Sequence, residues 1–408
     1  MSTASRRLPC ATHPQPDELL SSWLVRLAQA HLIKVQSFCH YLWPQVVVWK
    51  RDVDKVAPPA MLSTLAARTS TSPQRILETT LASTSERLTG APLTIGQGLT
   101  PWLMPLSIYH RTHRKYGLVY CPHCLQQDGP APYYRTTWRL AFYVVCPTCG
   151  IYLHEGCPAC RAPINFFRLD VGRQSAAAGQ LLSTCYQCAF DLSQAPVKRV
   201  SSRVLRRYQS LYTISQEGWN QAVPYPHLYF QVLRQLVRVL SCPFGRARVL
   251  QVDMRHRLKQ PVKWLTRGGA FEQLSITERI YLLEQALWLL EEWPDRFIEV
   301  MHSHQIKSHA LLRDMAGEVP FWFSTVVTEN FFSTTATRRL MSLSLVPSYA
   351  GQGHKPLMEP VQGIVDSARK QDAEQSCPRC NSLWINRSGL KKGKQRYTCQ
   401  QCHRHFTA

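Results

Sequence analysis

Apolar side chains return every three or four residues in the stretch that follows Asp17. Leu19, Leu20, Trp23, Leu24 and Leu27 fall on one side, His31 closes the pattern, and Asp17 stands where an N-cap would. A second short helix is expected over Phe38 to Trp43. Pro58 and Pro59 open a third run, Met61 to Arg68, which ends in the polar turn Thr69 to Ser72. Ser72 as N-cap and Pro73 as first helical residue then start another helix towards Leu81. Helix, short polar turn, helix is the outline of a helix-turn-helix. Further along, Phe230 to Leu240 and Thr277 to Trp293 carry helical spacing. In the second, Ile280, Leu283, Leu287 and Leu290 form a core-facing stripe and Pro294 lies beyond the end. Between the helical regions, Tyr133 to Val145 is dense in aromatic and β-branched residues, which suits short strands or a buried helix. Gly172 to Gln180 reads as a surface loop, and 347–376, with its scattered Pro and Gly, as a linker.

The pattern predicts a mainly α, multidomain chain with small zinc-stabilised β elements. The expected order is a helical, helix-turn-helix-like domain at 1–95, a tandem zinc-binding domain at 96–196, a helical domain at 197–346, a linker at 347–376 and a zinc ribbon at 377–408. Cysteine spacing is what brings in the metal. Of the 15 cysteines, twelve form C-x-x-C pairs: Cys121/Cys124, Cys146/Cys149, Cys157/Cys160, Cys185/Cys188, Cys377/Cys380 and Cys399/Cys402. Two residues between thiolates make a tight knuckle that suits tetrahedral Zn²⁺, so three zinc sites of four cysteines are expected. A disulfide framework would need an oxidising compartment, a redox pair would be single, and iron–sulfur ligands are less evenly paired. For the first eight cysteines the spacing leaves two pairings: sequential, which is the expectation, or a cross-brace joining Cys121/Cys124 with Cys157/Cys160. His123 and His154 are substitute ligands. Cys10, Cys39 and Cys242 are expected to be small buried apolar residues.

Charge narrows the function. Lys and Arg number 48 against 26 Asp and Glu, a net +22, and phosphate is the commonest partner of such an excess. One basic run holds Lys198, Arg199, Arg203, Arg206 and Arg207. Another, over 246–267, holds Arg246, Arg248, Arg255, Arg257, Lys259, Lys263 and Arg267. Residues 377–408 carry Arg379, Arg387, Lys391, Lys392, Lys394, Arg396 and Arg404 and not one acid. Most of these fall between the two knuckles, where Gly393 should turn a hairpin and Trp384 and Tyr397 add packing area. The ribbon and the first run are therefore the candidate DNA-binding surface. No apolar run approaches the ~18 residues that span a bilayer, and no secretory signal is visible. A cytoplasmic, nucleoid-associated protein with no membrane partner is expected. No Gly-x-x-x-x-Gly-Lys-[Ser/Thr] loop is present, so the chain is not read as an ATPase; no catalytic residue is assigned, and an enzyme is not expected.

Pro14 to Ala28 (PQPDELLSSWLVRLA), Tyr120 to Leu125 (YCPHCL), Tyr134-Arg135, Trp138 to Phe142 (WRLAF) and the Cys146 to Cys160 run resemble, in order and separation, the motifs of TniQ proteins over about residues 8–190. Members often have His where this chain has Cys149, an exchange that keeps a zinc ligand. The tail is similar to zinc ribbons of insertion-sequence proteins, which not every TniQ protein carries. The resemblance implies a target-site selector in DNA transposition, linking double-stranded DNA to an AAA+ ATPase regulator and a transposase. It also implies an alternative, an adaptor docked on an RNA-guided CRISPR ribonucleoprotein. By resemblance, the ATPase contact is expected near Trp23 and Arg26. A homodimer stays open.

Overall fold

In a computed structural model, the described residues are 7–55, 57–93, 99–109, 111–171, 181–242, 245–260, 269–313, 315, 319–331, 377–380, 385–391, 394–399, 402 and 404–407, with backbone only for 385–391, 394, 395 and 407. They fall in two compact units, Met1–Leu345 and Val346–Ala408. The expected linker and the Gly172 to Gln180 loop lie outside the described residues.

The first unit begins with helices α1 (Leu20–Ala30) and α2 (Val35–Leu42). Then come α3 (Pro59–Thr69), α4 (Pro73–Glu78) and α5 (Ala82–Thr89). Ser70, at φ 56°, ends α3, and the Ser72 hydroxyl accepts the Arg75 N–H at 3.3 Å, so the expected turn and cap both form. The helix it starts stops at Glu78 rather than Leu81. Short elements follow: the two-residue pairs β1 (Ile108–Tyr109) with β2 (Thr112–His113) and β3 (Val145–Cys146) with β4 (Ile151–Tyr152), and α6 (Pro122–Gln127). Helices α7 (Ser202–Glu217), α8 (Pro226–Ser241), α9 (Gly245–Arg257), α10 (Ile276–Glu291), α11 (Asp295–Ser303), α12 (Ser308–Leu312) and α13 (Phe321–Phe331) complete it. Ser275 and Glu278 close a capping box on α10, two residues ahead of Thr277. The central helix is α8, which packs against α5, α7, α9, α10 and α12 and is apolar on most of its circumference.

One buried core runs from Leu8 to Phe331, through all three expected domains of this unit. Trp102 shows how they join. Its ring meets the edges of Phe142, Phe230 and Phe271 at 5.6, 5.3 and 5.5 Å, and its backbone N–H donates to buried Glu272 at 2.7 Å.

Asp17 does not cap α1. It sits at φ 58° and accepts hydrogen bonds from the Thr136 and Thr137 hydroxyls, fixing the turn that leads to Trp138. The first N–H groups of α1 are answered from far away instead: Leu20 donates to the Thr79 carbonyl at 2.8 Å, and Ser21 donates to Asp54 Oδ1 at 2.7 Å. Asp54 also takes the Ser21 hydroxyl at 2.8 Å. Behind it lies Arg139, 1% exposed, which donates to Asp52 at 2.6 Å, Asp54 at 3.3 Å and the Met104 carbonyl at 3.0 Å. Burial and the neighbouring Asp52 charge push Asp54 up to about 6. Asp52 is raised by burial too, but the Arg139 charge outweighs that and holds it below its ordinary value.

His113 lines the same region and donates from Nδ1 to the Ile164 carbonyl at 2.9 Å. Burial lowers its pKa from 6.5 to about 4. A folded value below the unfolded one favours the neutral ring. Its stabilisation, about 3 kcal/mol at most, is present above pH 6.5 and lost as pH falls towards 4. The expected result in an NMR titration is a His113 Cε1–H resonance that stays put from pH 8 to about 5. A midpoint near 6.5 would show a solvated ring instead.

In the second unit, β5 (Ile385–Lys391), β6 (Lys394–Cys399) and β7 (His405–Thr407) form one antiparallel sheet in sequence order. The β5–β6 register runs from Ile385 opposite Cys399 to Lys391 opposite Lys394, so the basic stretch turns back on itself as a hairpin. Tyr397 is buried against Phe406, ring centroids 5.7 Å apart, while Trp384 lies outside the described residues.

Candidate metal centres and basic surface

The knuckles are built by short, strained turns rather than by long elements. In three of them the residue after the second cysteine takes positive φ: Gly150 at 63°, Arg161 at 59° and Ala189 at 61°. Each sends its N–H back to the carbonyl of the first cysteine, at 2.9, 2.9 and 3.0 Å. This turn folds the two sulfurs to the same side. Cys121 differs, because Pro122 continues into α6 and the Cys121 sulfur accepts the Cys124 N–H at the helix start.

The structure pairs the cysteines sequentially, as expected. Cys121, Cys124, Cys146 and Cys149 converge in one cluster, Cys157, Cys160, Cys185 and Cys188 in a second, and Cys377, Cys380, Cys399 and Cys402 in a third. Within each, all four sulfurs lie within 4.8 Å of one another. Tetrahedral zinc at ~2.3 Å from each sulfur requires sulfurs about 3.8 Å apart. The contacts found are 3.6 and 3.7 Å from Cys124 to Cys146 and Cys149, 3.6 Å for Cys157–Cys188 and Cys160–Cys185, and 3.5 Å for Cys377–Cys402 and Cys380–Cys399. Backbone N–H groups of Cys124 and Cys149 point at the Cys121 and Cys146 sulfurs, which suits thiolates. Each group could hold one zinc ion. Four thiolates around each leave no open position for a substrate, which is the pattern of a structural rather than a catalytic site.

The histidines stay outside these clusters. His154 stacks on Tyr120 and donates to the Pro196 carbonyl at 2.8 Å, and His123 belongs to no cluster. Of the other cysteines only Cys39 is buried; Cys10 and Cys242 are exposed, contrary to expectation. Each lies in a connection outside the helix faces that periodicity assigns to the core.

The basic run at 198–207 divides. Lys198 and Arg199 are exposed on an extended segment laid along β4: Tyr152 donates to the Lys198 carbonyl at 2.9 Å, beside the first metal cluster. Arg203 is 68% exposed and only 3.6 Å from Glu291, and Arg206 is exposed. Arg207 is not available to a ligand. Its side chain is 7% exposed and bonds Glu291 at 2.6 Å. Burial raises the Glu291 pKa, but bonds from Arg207 and Arg296 hold its carboxyl below the ordinary value. In the second run, Arg257 bonds Asp253 at 2.7 Å, and Lys263 and Arg267 lie outside the described residues. On the ribbon, Arg404 is exposed and Arg396 half-buried. Arg387, Lys391 and Lys394 lie on the paired strands, and Lys392 lies outside the described residues.

The expected partner residues need correction. Trp23 has no exposed surface, and its indole N–H donates to the Thr12 carbonyl at 2.8 Å. Arg26 is 11% exposed and bonds buried Glu18 at 2.5 Å. Both hold α1 in place and present little to a partner. The exposed apolar residues of this region are Leu32, Ile33, Tyr41, Val46 and Val47. Tyr41 could have been read from the sequence, since it falls off the α2 face made by Val35, Phe38 and Cys39.

Among the described residues no helix is long and apolar enough to cross a membrane. No curated protein matches the chain. A family model does match, that of TniQ, over residues 9–153, from the segment before α1 through the first metal cluster to β4: this part of the chain is similar to the TniQ domains, a family associated with transposition.

Proposed function

We propose that the protein is a non-catalytic, DNA-binding target-site selector in DNA transposition, which links target DNA to an AAA+ ATPase regulator and the transposase. The family match over residues 9–153 supports transposition, and the acid-free ribbon is the observation that carries DNA binding. Zinc with four thiolates has a formal charge of −2, which offsets only part of the ribbon's seven positive charges. Arg387, Lys391, Lys394 and Arg396 lie on the hairpin's strand pair, which is of a size to lie along a duplex backbone. Lys198, Arg199, Arg203 and Arg206 supply a second exposed patch. The ATPase regulator would dock on exposed Leu32, Ile33, Tyr41, Val46 and Val47, supported by buried Trp23 and Arg26. That apolar surface also favours the second reading, an adaptor on an RNA-guided ribonucleoprotein.

Duplex binding across a salt series separates the two. For a selector, changing Lys391, Lys392, Lys394 and Arg396 together to Ala is expected to lower affinity at least tenfold. The dependence of log K on log salt should flatten by up to about 3.6, near 0.9 for each lost phosphate contact. Unchanged binding would take the ribbon out of the mechanism and leave the adaptor reading.

A further inference from the structure

The β1–β2 hairpin lies outside the basic runs read from the sequence and outside the metal clusters. From Arg87 to Gln127 the chain holds no Asp or Glu, and within that stretch Tyr109, Arg111, Arg114, Lys115 and Tyr116 are all exposed. Ile108 and His113, paired across the hairpin, line its inner side beside Phe167. Tyr109 and Thr112, the next pair, therefore take the outer face, as alternation along a strand requires, and Arg114 lies over Tyr109 there.

The hairpin is fastened at its base, its inner side and its tip. At the base, the Arg114 and Lys115 N–H groups both donate to the Leu106 carbonyl at 3.2 Å. The chain passes so close there that a Cβ on Gly117 would lie 2.6 Å from the Pro105 carbonyl oxygen. On the inner side, His113 bonds the Ile164 carbonyl. At the tip, where Arg111 takes φ 60°, Arg168 donates from Nη1 to the Arg111 carbonyl at 3.3 Å. Tyr116 donates to the Arg161 carbonyl at 2.8 Å and so ties exposed Arg161 beside the hairpin. All these bonds hold backbone, and the cationic side chains of Arg111, Arg114, Lys115 and Arg161 stay exposed. Arg114 is ordered as well, its guanidinium carbon 3.8 Å from the centroid of the Tyr109 ring. Stacking uses the flat face of a guanidinium and leaves its N–H edge, which matches a phosphate, for an acceptor. A cation ordered in advance loses less freedom on binding than a loose one. A net charge of +22 over the whole chain favours a polyanion over a short acidic peptide as the partner.

We propose that the outer face of this hairpin grips phosphates of the target duplex, with Arg111, Arg114 and Lys115 as contact residues and the Tyr109 ring as the platform that orients Arg114. It rests on the DNA-binding reading above. The test uses the full zinc-loaded chain. Arg111→Asn, Arg114→Gln and Lys115→Gln together remove three charges from exposed side chains, and Asn tolerates the positive φ at the tip. Expected is a loss of at least tenfold in duplex affinity and a salt slope lower by up to about 2.7. Tyr109→Leu is expected to weaken binding two- to fivefold, while Tyr109→Phe, which keeps the ring, stays within twofold of the unaltered protein. In the unaltered protein, acetylation of Lys115 is followed by mass spectrometry. Expected is at least threefold slower labelling with duplex, and no slowing by inorganic phosphate at equal ionic strength. Should the triple variant fail to retain its zinc, the labelling alone decides. Unchanged affinity and slope in the hairpin variant, while the ribbon variant is weakened, would overturn this assignment alone. Labelling of Lys115 that duplex does not slow would overturn it too, and equal weakening by both Tyr109 variants would remove the platform. If the unaltered protein does not bind duplex, the DNA-binding reading falls and the hairpin assignment with it.

Discussion

Stripping zinc from the intact protein is expected to abolish the cooperative melting of the Met1–Leu345 unit. Two clusters in this unit draw ligands from Cys121 to Cys188, and the regular structure around them is slight: two-residue strands, six-residue α6 and single 3₁₀ turns. Yet this segment holds Tyr120, Phe142, Val144, Val145 and Ile151 with no exposed surface, at the centre of the core. Hydrogen-bond ladders this short cannot hold such side chains in place, so the metal does. Structural zinc contributes about 10–16 kcal/mol per site, against about 5–15 kcal/mol for the net stability of a typical domain. Losing even one ion therefore exceeds the margin. Metal analysis should find three zinc ions per chain, and two after Cys146→Ser. Circular dichroism of the chelated protein should show no sharp transition, and zinc should restore it. A transition unchanged in metal-free protein would show that the clusters are dispensable to the fold.

Replacing Arg139 by Met is expected to cost about 3–5 kcal/mol, the usual effect of leaving a buried ion pair's partner alone. Two carboxylates would be stranded, Asp52 and Asp54, and Asp54 is also what receives the start of α1. Without the guanidinium, burial would set the folded pKa values of both acids above their unfolded ones, Asp52 crossing over from below. Such a group favours the fold when protonated, so the deficit should be largest above pH 7 and shrink as pH falls towards 6. Urea unfolding at pH 8 and pH 6, compared with the unaltered protein, checks both the size and the direction. An equal deficit at both values would mean that lost packing, not charge, accounts for it.

Local rules were enough wherever the cause is local. Ser72 and Pro73 start a helix because the cap needs only the next three residues, and each knuckle closes because two intervening residues already set its turn, whereas which knuckles pair is decided by packing. Helices α8 and α10 form where the helical period is written, and Leu283, Leu287 and Leu290 of the expected stripe are buried; Ile280 is only half-buried, and Leu282, Ala286 and Leu289 bury a second side of α10. Asp17 misled because its carboxylate finds Thr136 and Thr137, over a hundred residues on, while α1 borrows its cap from Asp54. Trp23 looked like a contact residue because a motif shows which residues recur and not which way they face. Arg207 belonged to a basic run in the sequence and to Glu291 in the structure, a pairing 84 residues apart.

The remote capping of α1 has a consequence for how the chain is made. On a ribosome this helix emerges with Trp23, Leu24 and Leu27 bare, and nothing near it can satisfy its first amides or cover its apolar side. Asp54 and Thr79 follow within some fifty residues, but Tyr134, whose carbonyl binds Leu19 at 2.8 Å, and Arg139 come much later. At about 5–20 residues per second, the interval from residue 30 to residue 139 lasts roughly 5–20 s. Through that interval the apolar side of the N-terminal segment lacks the later partners that cover it in the folded unit. Its folding is timed not by its own translation but by the arrival of the segment that also brings the first metal ligands.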